Sequence, residues 1–223
     1  MKRKLLPLLL MLATGVASAQ TAPEAAPAAP AVVAAVDFAD TAFVLICSAL
    51  VLLMTPALAF FYGGLSRSKS VLNTMMMSFT AIGVITIVWV VAGYSIAFGD
   101  EPMGAYFGSF QNVMLAGIDK DSTATTFNAA HLIPKYVFVM FQATFAIIAA
   151  ALISGALVDR MKFGAYIVFI ALWSVLVYAP VAHWVWDASG WLFADGALDF
   201  AGGTVVHINA AVAGLVGAYL VGK

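Results

Sequence analysis

The chain has 223 residues, of which 64% are hydrophobic and only 9% charged. A water-soluble globule carries about 45–50% apolar and about 25% charged residues, so this chain has too few charges to coat one. Ten Lys and Arg against eleven Asp and Glu leave a net charge of −1, which excludes a basic face for nucleic acid, and the single Cys47 excludes a disulfide framework or a thiolate metal cage. The composition is that of an all-α, polytopic helical membrane protein in a lipid bilayer.

The chain opens on a targeting pattern. Met1 to Lys4 form a basic start, Leu5 to Leu12 a short apolar core, and Ala17-Ser18-Ala19 a small-residue cleavage site. Such a core is too short to span about 30 Å of hydrocarbon, so residues 1–19 are expected to be a signal peptide cut before Gln20. Residues 20–36 are rich in Ala and Pro and read as an extracytoplasmic linker.

Five apolar runs follow, at about Ala42–Tyr62, Val71–Phe98, Tyr136–Val158, Gly164–Trp186 and Gly202–Val221. Each is about 20 residues or longer, which at 1.5 Å per residue crosses a bilayer as a helix. The runs are continuous rather than alternating, which argues against barrel strands. Arg67 and Lys69 follow the first run, Arg160 and Lys162 the third, and Lys223 the fifth, whereas Asp100, Glu101, Asp119 and Asp121 crowd the loop after the second. The positive-inside rule then puts the mature N-terminus outside and Lys223 in the cytoplasm. The loop at 99–133 is extracytoplasmic and long enough for a short helix or vestibule structure. An odd number of spans suits an inverted-repeat transporter, in which a second copy inserts upside down. No second copy is present in the sequence, so residues 37–223 are expected to be the first five-helix repeat of a larger, truncated domain.

Ionisable groups at membrane depth cost about 2.5–3.5 kcal/mol on insertion scales and need a reason. Asp199 opens the fifth run. It suits an N-cap at the positive end of the helix dipole, and it equally suits a carboxylate that favours a nearby cation. His207 lies about 12 Å deeper at the helical rise. Gly203, Ala210, Gly214 and Ala218 fall on its helix face, and such a small-residue stripe marks close helix contact. His207 is therefore expected to point into the bundle, either as a packing histidine or as a polar residue lining an apolar pore. Phe141 and Phe145 lie one above the other near the outer end of the third run, and Trp184, Trp186 and Trp191 cluster at the outer end of the fourth. These rings fit an interfacial aromatic belt, and they also fit a cage that holds a small cation. His183 and His131 read as interfacial or loop residues without an assigned role. Nucleophile-elbow, zincin, dinucleotide and phosphate-loop motifs are absent from the sequence. Asp199 and His207 lack a third ligand at sensible spacing, so neither enzyme, cofactor nor metal is expected.

Three stretches carry a resemblance. Phe61-Tyr62-Gly63-Gly64-Leu65, Phe141-Gln142-Ala143-Thr144-Phe145, and Asp199-Phe200-Ala201-Gly202-Gly203-Thr204-Val205-Val206-His207-Ile208-Asn209 are similar to motifs of the ammonium transporter (Amt/Mep/Rh) family, in its bacterial form. The resemblance covers about residues 37–223. It implies the first half of an eleven-helix, inverted-repeat fold that assembles as a homotrimer in the bacterial inner membrane. It also implies roles. Phe145 would cap the pore with Phe141 beside it, Trp186 and Asp199 would form an outer ammonium site, and His207 would be the first of two pore histidines in a proton relay. The second histidine, a second gating phenylalanine and an outer-site serine belong to the family's second half, so this chain is expected to be incomplete as a pore. The function implied is recruitment of ammonium and conduction of ammonia with a separate proton path. A Rhesus-type gas channel or an ammonium sensor with a downstream signalling domain is the alternative. A PII-type signalling protein is the candidate partner on the cytoplasmic face.

Overall fold

The computed structural model describes residues 35–125 and 131–222. The expected signal peptide and residues 20–34 of the linker lie outside the described residues. Five helical spans long and apolar enough to cross a bilayer follow one another, at Phe38–Leu65, Ser68–Phe98, Lys135–Leu157, Phe163–Ala194 and Gly203–Val221. They coincide with the five apolar runs.

The first span is one helix, α1 (Phe38–Leu65). Asp37 caps it by accepting the Asp40 N–H at 2.9 Å, and the helix stops where Ser66 turns extended and its N–H and hydroxyl both donate to the Gly63 carbonyl. The second span joins α2 (Val71–Val88) to the short α3 (Tyr94–Phe98) through a π-helical turn, Trp89–Gly93. The third is α4 (Lys135–Leu157), which starts directly after Pro134. The fourth runs from α5 (Phe163–Trp173) through a second π turn, Ser174–Tyr178, into α6 (Ala179–Trp186), followed by α7 (Trp191–Ala194). The fifth begins with a third π turn, Gly203–Ile208, and continues as α8 (Asn209–Val221).

The third span is the centre of the bundle. Of its central window 67% is buried, against 17% for the first span, and α1, α2 and α8 all pack on it. Its sequence permits this because Ala146, Ala149, Ala150, Ala151, Ser154 and Gly155 let neighbouring backbones approach. At Gly155 a Cβ would sit 2.6 Å from the Tyr62 ring, whose hydroxyl donates to the Leu152 carbonyl at 3.1 Å. The π turns of the second and fourth spans meet each other. Their rings interlock there, with Trp89 and Tyr178 6.2 Å apart between centroids and Trp173 and Tyr178 6.1 Å apart.

The loop between the second and third spans holds a short 3-10 turn, Val113–Leu115, and an antiparallel hairpin of β1 (Thr123–Thr125) and β2 (Leu132–Pro134). Ala124 stands opposite Ile133 in the register. Val36 bridges Leu132 in parallel, and the Asp37 N–H donates to the Leu132 carbonyl at 2.8 Å, so the hairpin is tied to the start of α1.

Candidate functional site

The end of α6, the 199–202 loop and the N-terminal half of α4 converge on one cluster. Phe141 and Phe145 meet edge to face, with centroids 4.9 Å apart and planes at 86°. Phe145 in turn meets Trp186 at 5.5 Å and 66°. The three rings form a continuous row in the geometry that aromatic quadrupoles favour. Trp186 donates its indole N–H to the Asp199 backbone carbonyl at 3.1 Å. Trp184 turns elsewhere, with its N–H on the Tyr106 carbonyl at 2.8 Å and its ring beside Trp191. The three tryptophans expected to cluster therefore divide, and only Trp186 joins the phenylalanines.

Asp199 acts as a helix cap. Its Oδ2 accepts the N–H groups of Thr204 at 3.1 Å and Val205 at 3.0 Å, at the positive end of the fifth span. The chain makes this reach by placing Gly202 in the left-handed region, with φ +74°. A Cβ there would also come within 2.8 Å of Val206 Cγ2 and 3.7 Å of the Trp186 ring. Only glycine meets both demands.

His207 faces the groove side of the half-fold. It is exposed in this chain rather than buried in the bundle, as is Gly203. The span begins in a π turn: the N–H groups of both Val206 and His207 donate to the Gly202 carbonyl, so angular positions counted at α-helical spacing shift across 203–208. The small-residue contact begins only after that turn. Ala210 and Gly214 are buried, and a Cβ on Gly214 or Gly217 would lie 3.1 Å from Ala156 Cβ or 2.9 Å from Leu157 Cδ2 respectively. The contact stripe is therefore Ala210, Gly214 and Gly217, at helical three–four spacing.

The His207 ring folds back, and Nδ1 lies 3.0 Å from the Gly202 carbonyl. A carbonyl can only accept, so the proton belongs on Nδ1 and Nε2 is left with its lone pair in the neutral ring. The ring borders an open groove of about 310 Å³, otherwise lined by Met54, Ala57, Leu58 and Phe61 of α1 and Ile148 and Leu152 of α4. On α4 the series Phe141, Phe145, Ile148, Leu152 has spacings of four, three and four, which is one helix face. The aromatic row and the groove are thus two stretches of a single stripe, about 16 Å long at the helical rise.

His183, which the sequence reading leaves as an interfacial residue, is completely buried in α6. Its Nδ1 lies 2.9 Å from the Ala97 carbonyl and its Nε2 3.3 Å from the Gly104 carbonyl. It pins α6 to the end of the second span and to the loop that follows it. Its position between apolar residues of a span, Ala182-His183-Trp184, is the signal that singles it out.

The Ammonium Transporter Family model matches residues 42–223. An ammonium transporter of Aquifex aeolicus is 54% identical over 189 residues, covering 84% of this chain and 43% of the relative. The crystal structure of Candida albicans Mep2 superposes with a TM-score of 0.76 at 34% identity, over 84% of this chain and 40% of that one. A structure described as a sensor Amt protein gives a TM-score of 0.72 at 26% identity, over 82% of this chain and 44% of that one. The chain thus spans less than half the length of the relatives it matches. The matched region takes in all the residues of the aromatic row, the Asp199 cap and the His207 groove, and the chain belongs to the ammonium transporter family, a family of transporters rather than enzymes.

Proposed function

We propose that this chain supplies the first half of an ammonium transporter, with an outer ammonium site at Phe141, Phe145, Trp186 and Asp199 and a conduction wall along the groove beside His207. The observation that carries the reading is the single α4 stripe from Phe141 to Leu152, which runs from the aromatic row down to the imidazole.

The chemistry follows from the cation. Ammonium and potassium are close in size, so a size filter does not separate them. Ammonium can donate hydrogen bonds and can lose a proton. Aromatic faces attract a small cation by about 0.5–2 kcal/mol per ring. The Asp199 carboxylate adds negative charge, although Oδ2 is already committed to two backbone N–H groups. Below the row the lining is aliphatic and aromatic apart from His207, and desolvation there opposes any bare ion. Neutral ammonia escapes that barrier and potassium has no neutral form. The lone pair on His207 Nε2 is free to accept a proton travelling separately, which makes net transport electrogenic.

The wider reading includes a cleaved signal at 1–19, an extracytoplasmic mature N-terminus and a cytoplasmic Lys223. It includes an inverted second repeat that covers the groove, a homotrimer in the inner membrane and a PII-type protein on the face bearing Arg67, Lys69, Arg160 and Lys162. Exposed apolar side chains on α1 and α8, among them Phe43, Leu53, Leu215 and Tyr219, support burial against lipid or further helices. Likeness to a sensor Amt protein is compatible with the same half-fold, and the higher identity to a transporter favours transport.

The test is a chimera in which residues 37–223 replace the matching segment of the Aquifex aeolicus relative. It should restore growth on low ammonium to cells lacking their own transporter, whereas residues 20–223 alone should not. Growth restored by the half chain, or a folded chimera without uptake, would overturn the reading.

A further inference from the structure

At the N-terminal end of the first span, Asp37, Asp40 and His131 bring three ligand atoms within 4.8 Å of one another. His131 Nδ1 lies 3.0 Å from Asp37 Oδ2 and 3.3 Å from Asp40 Oδ2. We propose that these three atoms form a binding site for a zinc ion, which clamps the outer hairpin to the start of α1.

The geometry fits that ion. Metal–ligand bonds of about 2.0–2.1 Å in a tetrahedron require ligand–ligand edges of about 3.3–3.4 Å. The two nitrogen–oxygen separations lie within a few tenths of an ångström of this, and the two carboxylate oxygens, within 4.8 Å of each other, complete the set with side-chain adjustment. One imidazole and two carboxylates, with water as the fourth ligand, suit zinc. Calcium and magnesium prefer all-oxygen shells, and copper(I) prefers sulfur. Two carboxylates also converge on one nitrogen, which carries at most one proton, whereas a divalent cation neutralises both.

The site is held by groups that are not ligands. Asp37 Oδ1 accepts the Asp40 N–H at 2.9 Å, which fixes the carboxylate and leaves Oδ2 turned to the imidazole. The Asp37 N–H donates to the Leu132 carbonyl at 2.8 Å, and Val36 bridges Leu132, so the backbone next to His131 is registered against the helix start. Such outer-shell support is what orients metal ligands. The three side chains are 29%, 42% and 43% exposed, so an ion enters from water without unfolding the bundle. This inference concerns residues other than those of the aromatic row and the groove.

The experiment uses the whole chain in detergent micelles, untagged and stripped with chelator, titrated with zinc chloride by calorimetry and assayed for bound metal after dialysis. One zinc per chain is expected. His131→Gln should weaken binding by at least about 100-fold and Asp40→Asn by at least about tenfold, since loss of outer-shell partners alone costs about 10–100-fold. Asp195→Asn, which is not part of the cluster, should bind like the parent. Cobalt(II) on the parent should give the visible absorption of a four-coordinate nitrogen–oxygen site, which keeps the test decisive if a variant fails to fold. Failure of the parent to bind zinc, equal binding by folded His131→Gln (an adventitious ion only), tighter binding of calcium or magnesium, or a six-coordinate cobalt spectrum would each overturn the proposal.

Discussion

Asp199 serves two neighbours at once, and the two can be separated by substitution. Its carboxylate holds the first N–H groups of the fifth span, while its backbone carbonyl holds the Trp186 indole. Asparagine keeps a capping oxygen and removes the charge; alanine removes both. Loss of a cap costs about 0.5–2 kcal/mol. In the chimera, Asp199→Asn should keep the thermal stability of the parent and lose most ammonium uptake. Asp199→Ala should lose stability as well as uptake. Full uptake in both would take Asp199 out of the outer site and leave it a cap. The capping role and the aromatic pair at 141 and 145 are legible in the sequence because they depend on local spacing. The Trp186–Phe145 contact and the burial of His183 are not, because they depend on where α6 lands against α4 and the 104 loop. A histidine flanked by apolar residues in a span is the nearest thing to a signal for the latter.

The five spans are plain in the sequence because membrane-length apolar runs are a composition signal that needs no knowledge of packing. The three π turns at Trp89–Gly93, Ser174–Tyr178 and Gly203–Ile208 are hidden, since a single inserted residue leaves hydrophobicity unchanged. The third of them shifts the angular positions that an α-helical count assigns around His207. The α8–α4 contact illustrates what the element does need. Gly214→Leu would drive a side chain into Ala156, 3.1 Å from the glycine's Cβ position, and should destabilise the protein by about 1–3 kcal/mol in detergent melts. Gly83→Ala on α2, with open space around it, should be neutral or stabilising by up to about 1 kcal/mol. Equal effects of the two would mean that α8 does not pack on α4 through its small residues.

For the whole molecule, charge placement dictates the orientation proposed. Reporter fusions after Lys69, Lys120, Lys162 and Lys223 should read inside, outside, inside and inside; an outward reading at Lys223 would break the five-span topology. Among the described residues the groove beside His207 is walled by α1 and α4 and is open. The central claim is that His207 lines the path and handles the proton rather than packing the bundle. Its most direct test is ammonium-evoked current and potassium uptake measured on the same proteoliposomes carrying the chimera. His207→Ala should abolish the current, and His207→Asp, by placing a carboxylate on the groove, should admit potassium. Normal current with His207→Ala, together with continued exclusion of potassium by His207→Asp, would contradict the account.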